Sequence, residues 1–337
     1  MTEQPHLADA ELQDVGTRWD AAMRAGDWEA AWQQTDRIEM PRRELQRTPD
    51  FAPGPQHLRW DGTPLAGHSV MVRCLHGLGD TLQFMRFVPQ LAAQARELHF
   101  LVQPMLLDLL EGLPGLGQVS NAWTDDPPPH EVEIEVMELA YALRCTADRV
   151  PPPLPALATH VHAQQVFVLP APPHQRKLAL FHAASRWDTS RSIPLEHWLP
   201  LLDVPDARFH DLQQDVEPRP ALPPGRMTPL HRQTQDIVAA AAALQEMDLV
   251  IAVDGMPAHL AASLGRPTWL LLKHDADWRW GHDRSDSPWY PSMRIFRQPK
   301  PGDWAGLMAQ VREALISLTA PSSATPASTS LHPRPMR

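Results

Sequence analysis

The feature that most constrains this chain is a strand–turn–helix pattern that runs from residue 69 and starts again after residue 176. "SVMVRC" (69–74) reads as a short buried strand, "GLGD" as a turn and "TLQFMRFVPQLAAQA" (81–95) as a helix. Phe84, Phe87 and Leu91 fall on one face of that helix, and Pro89 predicts a kink. The strand "LHFLVQ" (98–103), the helix "PMLLDLLEGL" with Pro104 in its first turn, and the alternating strand "EVEIEV" (131–136) follow. After the proline-rich "LPAPPHQR" the order resumes: strand "KLALFHA", helix "PLEHWLPLL", strand "ARFHDLQ" and helix "TQDIVAAAAALQEM". Strand "DLVIAV", helix "PAHLAASLG", strand "PTWLLL" and a last helix, "DWAGLMAQVREALISL", complete it near Leu318. Such alternation means open α/β sheets with right-handed crossovers. Two runs of it predict two doubly wound, Rossmann-like domains facing a cleft, with ligands near the carboxyl ends of the strands.

Ahead of this pattern, residues 8–38 read as two short helices around "RAGDWEAAW". Leu12, Val15, Trp19 and Met23 form one apolar stripe, and Ala30, Trp32 and Ile38 suggest a second. The pair resembles one tetratricopeptide hairpin. A single repeat cannot bury its own face, so it should dock on the main body and could also meet a protein partner. An ordinary helical pair is the plainer alternative. The division that results is a hairpin at 1–40, a connector at 41–68, a first Rossmann-like domain at 69–168 and a linker at 169–176. A second Rossmann-like domain at 177–318 and a tail at 319–337 follow; the tail is poor in bulky apolar residues and is expected to be disordered.

Composition narrows the function classes. Forty acidic against 30 basic residues give a formal charge of -10, which argues against nucleic-acid binding by broad phosphate neutralisation. Lys177, Lys273 and Lys300 are the only lysines, so a phosphate ester would be gripped by arginine, whose guanidinium fork matches its oxygens. Cys74 and Cys145 have no CxxC partner, which disfavours a metal knuckle or a disulfide framework. No stretch approaches the ~18 apolar residues of a membrane span, and the polar start is no signal peptide. A cytoplasmic protein without a transmembrane segment is expected, with peripheral membrane contact still open.

Three stretches carry candidate chemistry. In "DLVIAVDGMPAHLAASLGRP" a buried strand ends at Asp254, and Gly255 precedes a helix whose free amides could bind an anion. Asp254 and His259 read either as ligand contacts or as an N-cap and a packed helix residue. In "FHAASRWDTSRSIPLEHW", Ser185, Arg186, Arg191 and Ser192 lie on a strand-to-helix loop that could cradle a diphosphate or could simply be solvated. In "DADWRWGHDRSDSPWYPSMRIFRQPKPGDW", Trp278, Trp280, Trp289 and Tyr290 crowd a loop beside Asp277 and Arg279; they could stack on a sugar or base, or pack beneath the loop.

Together "GLGDTLQFMRFVPQLA", "RSIPLEHWLPLL", "DLVIAVD...AHLAASLGRPTWLLL" and "DWRW...SPWYPSMRIFRQPKPGDW" resemble, in order and over about residues 60–318, glycosyltransferase family 9. That family includes the ADP-heptose:lipopolysaccharide heptosyltransferases, and the likeness is greatest to its tetratricopeptide-linked relatives. The resemblance implies a GT-B fold whose last helix returns towards the N-terminal domain. It implies transfer of a sugar, with inversion and with neither metal nor other cofactor, from a nucleotide-diphosphate donor to a glycan, lipid-linked or protein acceptor. It places Asp80 as the base, with Gly77 and Gly79 leaving room for the acceptor. Ser185 and Arg191 fall on the phosphate loop, and Asp254, Gly255 and His259 on the donor turn. Trp278 and Trp280 are possible stacking partners.

The chain departs from the family's pattern in three places. Gly255, followed by Met256 and Pro257, stands directly after Asp254 where many relatives have a hydroxyl residue, "HAASRWD" lacks a Gly-Asn-Pro run, and Leu75-His76 replaces a Glu-Gln pair. The alternative function is a catalytically inactive GT-B scaffold that binds a glycan or a partner protein. A Rossmann-type dehydrogenase is discounted, because no GxGxxG follows a strand with an acid about 20 residues on.

Overall fold

A computed structural model describes residues 9–46, 60, 62–170, 174–214 and 225–320. It opens with a helical pair, α1 (Asp9–Ala25) and α2 (Trp28–Gln46). The first α/β unit follows as β1 (Ser69–Arg73), α3 (Leu78–Phe84), α4 (Val88–Ala92), β2 (Glu97–Val102), α5 (Pro104–Leu110), β3 (Gln118–Asn121), β4 (Val132–Glu135), α6 (Leu139–Ala142) and α7 (Ala156–Gln164). The second comprises β5 (Arg176–Phe181), β6 (Ala207–Asp211), β7 (Met227–Pro229), α8 (Ile237–Gln245), β8 (Leu249–Val253), α9 (Met256–Ser263), β9 (Thr268–Leu272), β10 (Met293–Arg297) and α10 (Trp304–Thr319).

Both sheets are parallel. The first has the order β3-β2-β1-β4 and the second β10-β9-β8-β5-β6-β7. Counted within each unit, the second sheet runs 3-2-1-4-5-6 and the first 3-2-1-4. In each, the chain reverses direction between the first and fourth strands, and a crevice forms there at the carboxyl ends. Central strands are buried on both faces, as β1 and β8 are, because helices cover both sides.

The edge strands β3, β7 and β10 and the helix α7 lie outside the expected pattern. "QVSN" and "MTP" are short and carry one or two apolar residues each, so hydrophobic periodicity had nothing to register. The helix expected over 81–95 begins at Leu78 and breaks into a 3-10 turn at Met85–Phe87. Pro89 starts α4 instead of kinking a continuous helix, since its ring excludes the carbonyl four residues back. The helix expected at "PLEHWLPLL" is two 3-10 segments, Leu195–His197 and Leu199–Asp203, divided at Trp198, with Pro200 in the first turn of the second. Residues 41–46 continue α2, whereas the connector was expected to begin at 41. Of the connector, 47–59 and 61 lie outside the described residues, as do 171–173 of the linker and 321–337 of the tail.

The last helix does not return to the first unit. Leu307, Met308, Val311 and Leu315 make one apolar stripe on α10, which packs with Leu178, Phe209, Ile251 and Phe296 of the second unit. Other elements join the halves. α3 lies against α9, with Ser263 Oγ donating to the Leu82 carbonyl at 3.4 Å. The buried Arg86 donates to the carbonyls of Trp289 and Pro151, and its guanidinium lies 4.6 Å from the Tyr290 ring centre.

The helical pair docks on both units. Trp28 stacks on Trp289 at 4.8 Å, and Trp19 meets Trp278 edge-on at 5.2 Å. The Trp32 indole donates to the Cys145 carbonyl at 2.7 Å, Tyr141 donates to Asp36, and Arg24 donates to the Ala276 carbonyl. The buried tips of Trp32 and Tyr141 thus each have a partner, as burial requires.

Candidate functional site

The two crevices meet where α3 faces α9, and the elements fix which side chains gather there. β1 delivers the turn Gly77–Asp80, β5 the loop 182–192, and β8 the pair Asp254–Gly255. Asp80 lies inside the first turn of α3, not before it. Its Oδ2 accepts the Gly77 amide at 2.9 Å, and its Oδ1 pairs with Arg279 Nη1 across the junction at 2.9 Å. Arg279 leans against Trp278, and its Nε lies 3.3 Å from Asp277 Oδ1. Burial works against the Arg279 charge, but Asp277, Asp80 and Asp254 outweigh it and hold the guanidinium above its ordinary value.

Asp254 is only 5% exposed. Burial pushes its carboxyl up, opposed by the charges of Arg279 and Arg191, whose Nη1 lies 3.9 Å away. Asp80, Arg279, Asp254 and Arg191 thus form a chain of alternating charge from the first unit to the second. Arg191 also donates to Ser185 Oγ at 3.3 Å and approaches Asp188. Lys273, directly after β9, donates to Asp188 Oδ2 at 3.0 Å and Ser190 Oγ at 2.9 Å. The Ser190 hydroxyl, followed by Lys273, holds the Asp188 carboxyl below its usual range.

His259 is fully enclosed, with Nδ1 3.0 Å from the Tyr290 hydroxyl and its ring beside Trp280. Burial first, then Arg279, Arg86 and Arg191, keep it neutral well below the ordinary imidazole value. His259 also corrects the reading of Gly79. A Cβ there would come within 2.7 Å of His259 Cδ2, so the room that Gly79 leaves is filled by this ring rather than left open for an acceptor. A Cβ on Gly77 would lie 3.0 Å from Asp80 Oδ2, so that glycine makes room for the carboxylate capping its own amide. Gly255 has extended backbone and nothing nearer than 3.7 Å to an added Cβ, so neither strain nor space demands glycine there.

The aromatic loop is corrected as well. Trp280, Trp289 and Tyr290 are 0% exposed, so no stacking face remains on Trp280, whereas Trp278 is half-buried and meets Trp19 and Trp289 edge-on. An exposed indole beside these groups is Trp187, 85% accessible on the loop after β5, with the Arg191 guanidinium 5.3 Å from its ring centre.

Sequence reasoning did not assign Lys273 or Arg279 to the site. The signal for Lys273 was its place immediately after a strand. Arg279 was hidden among aromatic residues. His76, exposed beside the glycine turn, has Nδ1 3.0 Å from Glu135 Oε1 at the end of β4, and Glu135 is itself held by the amides of Leu75 and Met137. Among the described residues no group of three or more His, Cys, Asp or Glu could hold a metal ion, and no helix is long and apolar enough to cross a membrane.

No family model matches the chain. Protein FlbA of Caulobacter vibrioides is 26% identical over 299 residues, which is 78% of this chain but 49% of that protein, so the chain spans about half the relative's length. Two solved structures match about three quarters of this chain. The glycosyl transferase family 9 protein from Veillonella parvula gives a TM-score of 0.54 at 12% identity, covering 76% of this chain and 98% of that one. E. coli ADP-heptose LPS heptosyltransferase II gives 0.53 at 13% identity, covering 74% and 98%. The chain therefore has the GT-B fold of these two family 9 structures, preceded by a docked helical pair.

Proposed function

We propose that the chain is a glycosyltransferase that moves a sugar from a nucleotide diphosphate to a hydroxyl on a glycan, a lipid-linked sugar or a protein. The acceptor oxygen attacks the anomeric carbon from the face opposite the phosphate. The bond to the phosphate oxygen breaks, its electron pair leaves with the diphosphate, and the acceptor proton passes to Asp80. One displacement of this kind inverts the anomeric centre. Arg191, Lys273 and the free amides at the start of α9 would stabilise the leaving diphosphate without a metal ion. Trp187, exposed beside them, offers a face for the nucleotide base.

The observation that carries this reading is the opposition of charges at paired crevices. Cations gather at the carboxyl edge of the second sheet, and the Asp80 carboxylate faces them from the first. The fold shared with two family 9 structures supports the same reading.

Thermal unfolding with ADP-, GDP- and UDP-sugars tests it, because a ligand bound only by the native state raises the midpoint. At least one donor should raise the melting temperature of the wild type, and Arg191→Gln should abolish that rise. If no nucleotide sugar shifts the midpoint, the chain is the inactive scaffold and this function is wrong.

A further inference from the structure

The ion pair between Asp80 and Arg279 poses a problem for catalysis. A carboxylate that accepts from a guanidinium at 2.9 Å and from a backbone amide through its other oxygen has both oxygens occupied and none turned to an acceptor hydroxyl. Its partner is no ordinary surface arginine. Arg279 is nearly enclosed, and its planar fork lies among three carboxylates, those of Asp80, Asp254 and Asp277. Asp277 Oδ1 accepts the Arg279 backbone amide and lies 3.3 Å from Nε, at the root of the guanidinium, leaving the outer nitrogens to reach elsewhere. Asp254 lies between Arg279 and Arg191, at the turn where the diphosphate is proposed to sit.

We propose that Arg279 is a ligand of the donor diphosphate and exchanges Asp80 for a phosphate oxygen when the donor binds, so that the donor itself frees the base. The inference rests on the function proposed above. A phosphate oxygen carries more charge than a carboxylate oxygen and matches the same fork, so the exchange keeps Arg279 paired. Asp80 loses one partner and retains the Gly77 amide, which keeps its second oxygen aimed and leaves Oδ1 free for the acceptor hydroxyl. Without donor, the carboxylate stays neutralised. The geometry thereby couples donor occupancy to proton acceptance, and it needs no movement of either sheet, only of one guanidinium that pivots at Asp277.

The proposal makes a counter-intuitive statement about affinity. Asp80 competes with the diphosphate for Arg279, so removing its charge should tighten binding. Calorimetric titration with inorganic pyrophosphate, which has no base or sugar, reads this directly. Asp80→Asn should bind pyrophosphate about tenfold more tightly than the wild type, and Arg279→Gln about tenfold more weakly, the size common for directly coupled residues. In the double variant the gain from Asp80→Asn should vanish, because the residue it competed for is gone.

If the gain persists with Arg279→Gln, Asp80 acts only as a nearby negative charge and the exchange is refuted. If Asp80→Asn gives no gain while Arg191→Gln still weakens binding, the exchange is refuted and the donor site stands. If pyrophosphate fails to bind the wild type, both the site and the exchange fall. Should Arg279→Gln fail to fold, Arg279→Lys takes its place in the cycle. Its single ammonium keeps the charge, loses the fork, and should reduce the Asp80→Asn gain.

Discussion

The loop after β5 and the loop after β9 both bring tryptophan and arginine to the carboxyl edge of the second sheet, yet they serve the molecule differently. The first leaves Trp187 in solvent and holds Arg191 against Ser185, Asp188 and Asp254. The second turns Trp280, Trp289 and Tyr290 inward, where Trp28 of the helical pair, Arg86 and His259 cover them. Identical residue types thus make a polar surface in one loop and the adhesive between two sheets in the other. Covering elements, rather than local composition, decide which. The helical pair supplies part of that cover, through Trp28, and the two units supply the rest, through Arg86 and His259.

The largest effect that could break this contrast is on stability. Trp289→Ala, which empties the space between Trp28 and Phe84, should cost about 3–5 kcal/mol in urea unfolding. Trp187→Ala should change stability by less than about 0.5 kcal/mol while weakening nucleotide-diphosphate binding severalfold. Equal costs for the two would erase the distinction.

The seam between the halves gives the next test. Gly79→Ala pushes a methyl group into the His259 ring and should cost about 1–3 kcal/mol. Adding His259→Ala should remove most of that penalty; if it does not, the two residues do not meet.

Acid sensitivity sharpens the picture of a buried seam. Burial lowers His210 to about 4 and His259 well below its ordinary value of 6.5. Between pH about 6.5 and 4 the unfolded chain therefore binds protons that the native one refuses, and stability should fall as pH falls, by ~1.4 kcal/mol per pH unit for each proton. Asp254, raised by burial, acts in the opposite direction above 3.8, so the net slope over most of this window reflects two histidines against one aspartate. A flat urea midpoint from pH 6.5 to 4.5 would contradict the enclosure of these rings. Trp32→Phe, which removes the indole donor to the Cys145 carbonyl together with part of a buried ring, should cost at least about 1 kcal/mol by the same unfolding measurement.

Much of the architecture could be read from the sequence because parallel strands covered on both faces leave continuous apolar runs, as in "SVMVRC" and "DLVIAV". The short edge strands β3 and β7 leave no such trace, whereas the edge strand β4 was legible from its alternation; β10, "MRIFR", has apolar residues but sits within the stretch read as an aromatic loop. The residues of the strand-end turns, Asp80, Arg191 and Asp254, could be singled out because a strand followed by glycine or by polar residues before a helix is itself a signal. What they touch could not be read. The Asp80–Arg279 pair spans 199 positions of the chain and depends on how two sheets dock. The burial of Trp280 likewise depends on packing between distant elements, and no local pattern records it.

The central claim is that a nucleotide diphosphate sits between the two sheets, against the loop after β5 and the turn after β8. A crystal structure grown with the nucleotide that most raises the melting temperature tests this most directly. The account predicts diphosphate oxygens within about 3.5 Å of Arg191 and the Gly255 amide, with Asp80 facing the sugar position. A nucleotide bound elsewhere, with Arg191 still paired only to Ser185 and its carboxylates, would contradict it.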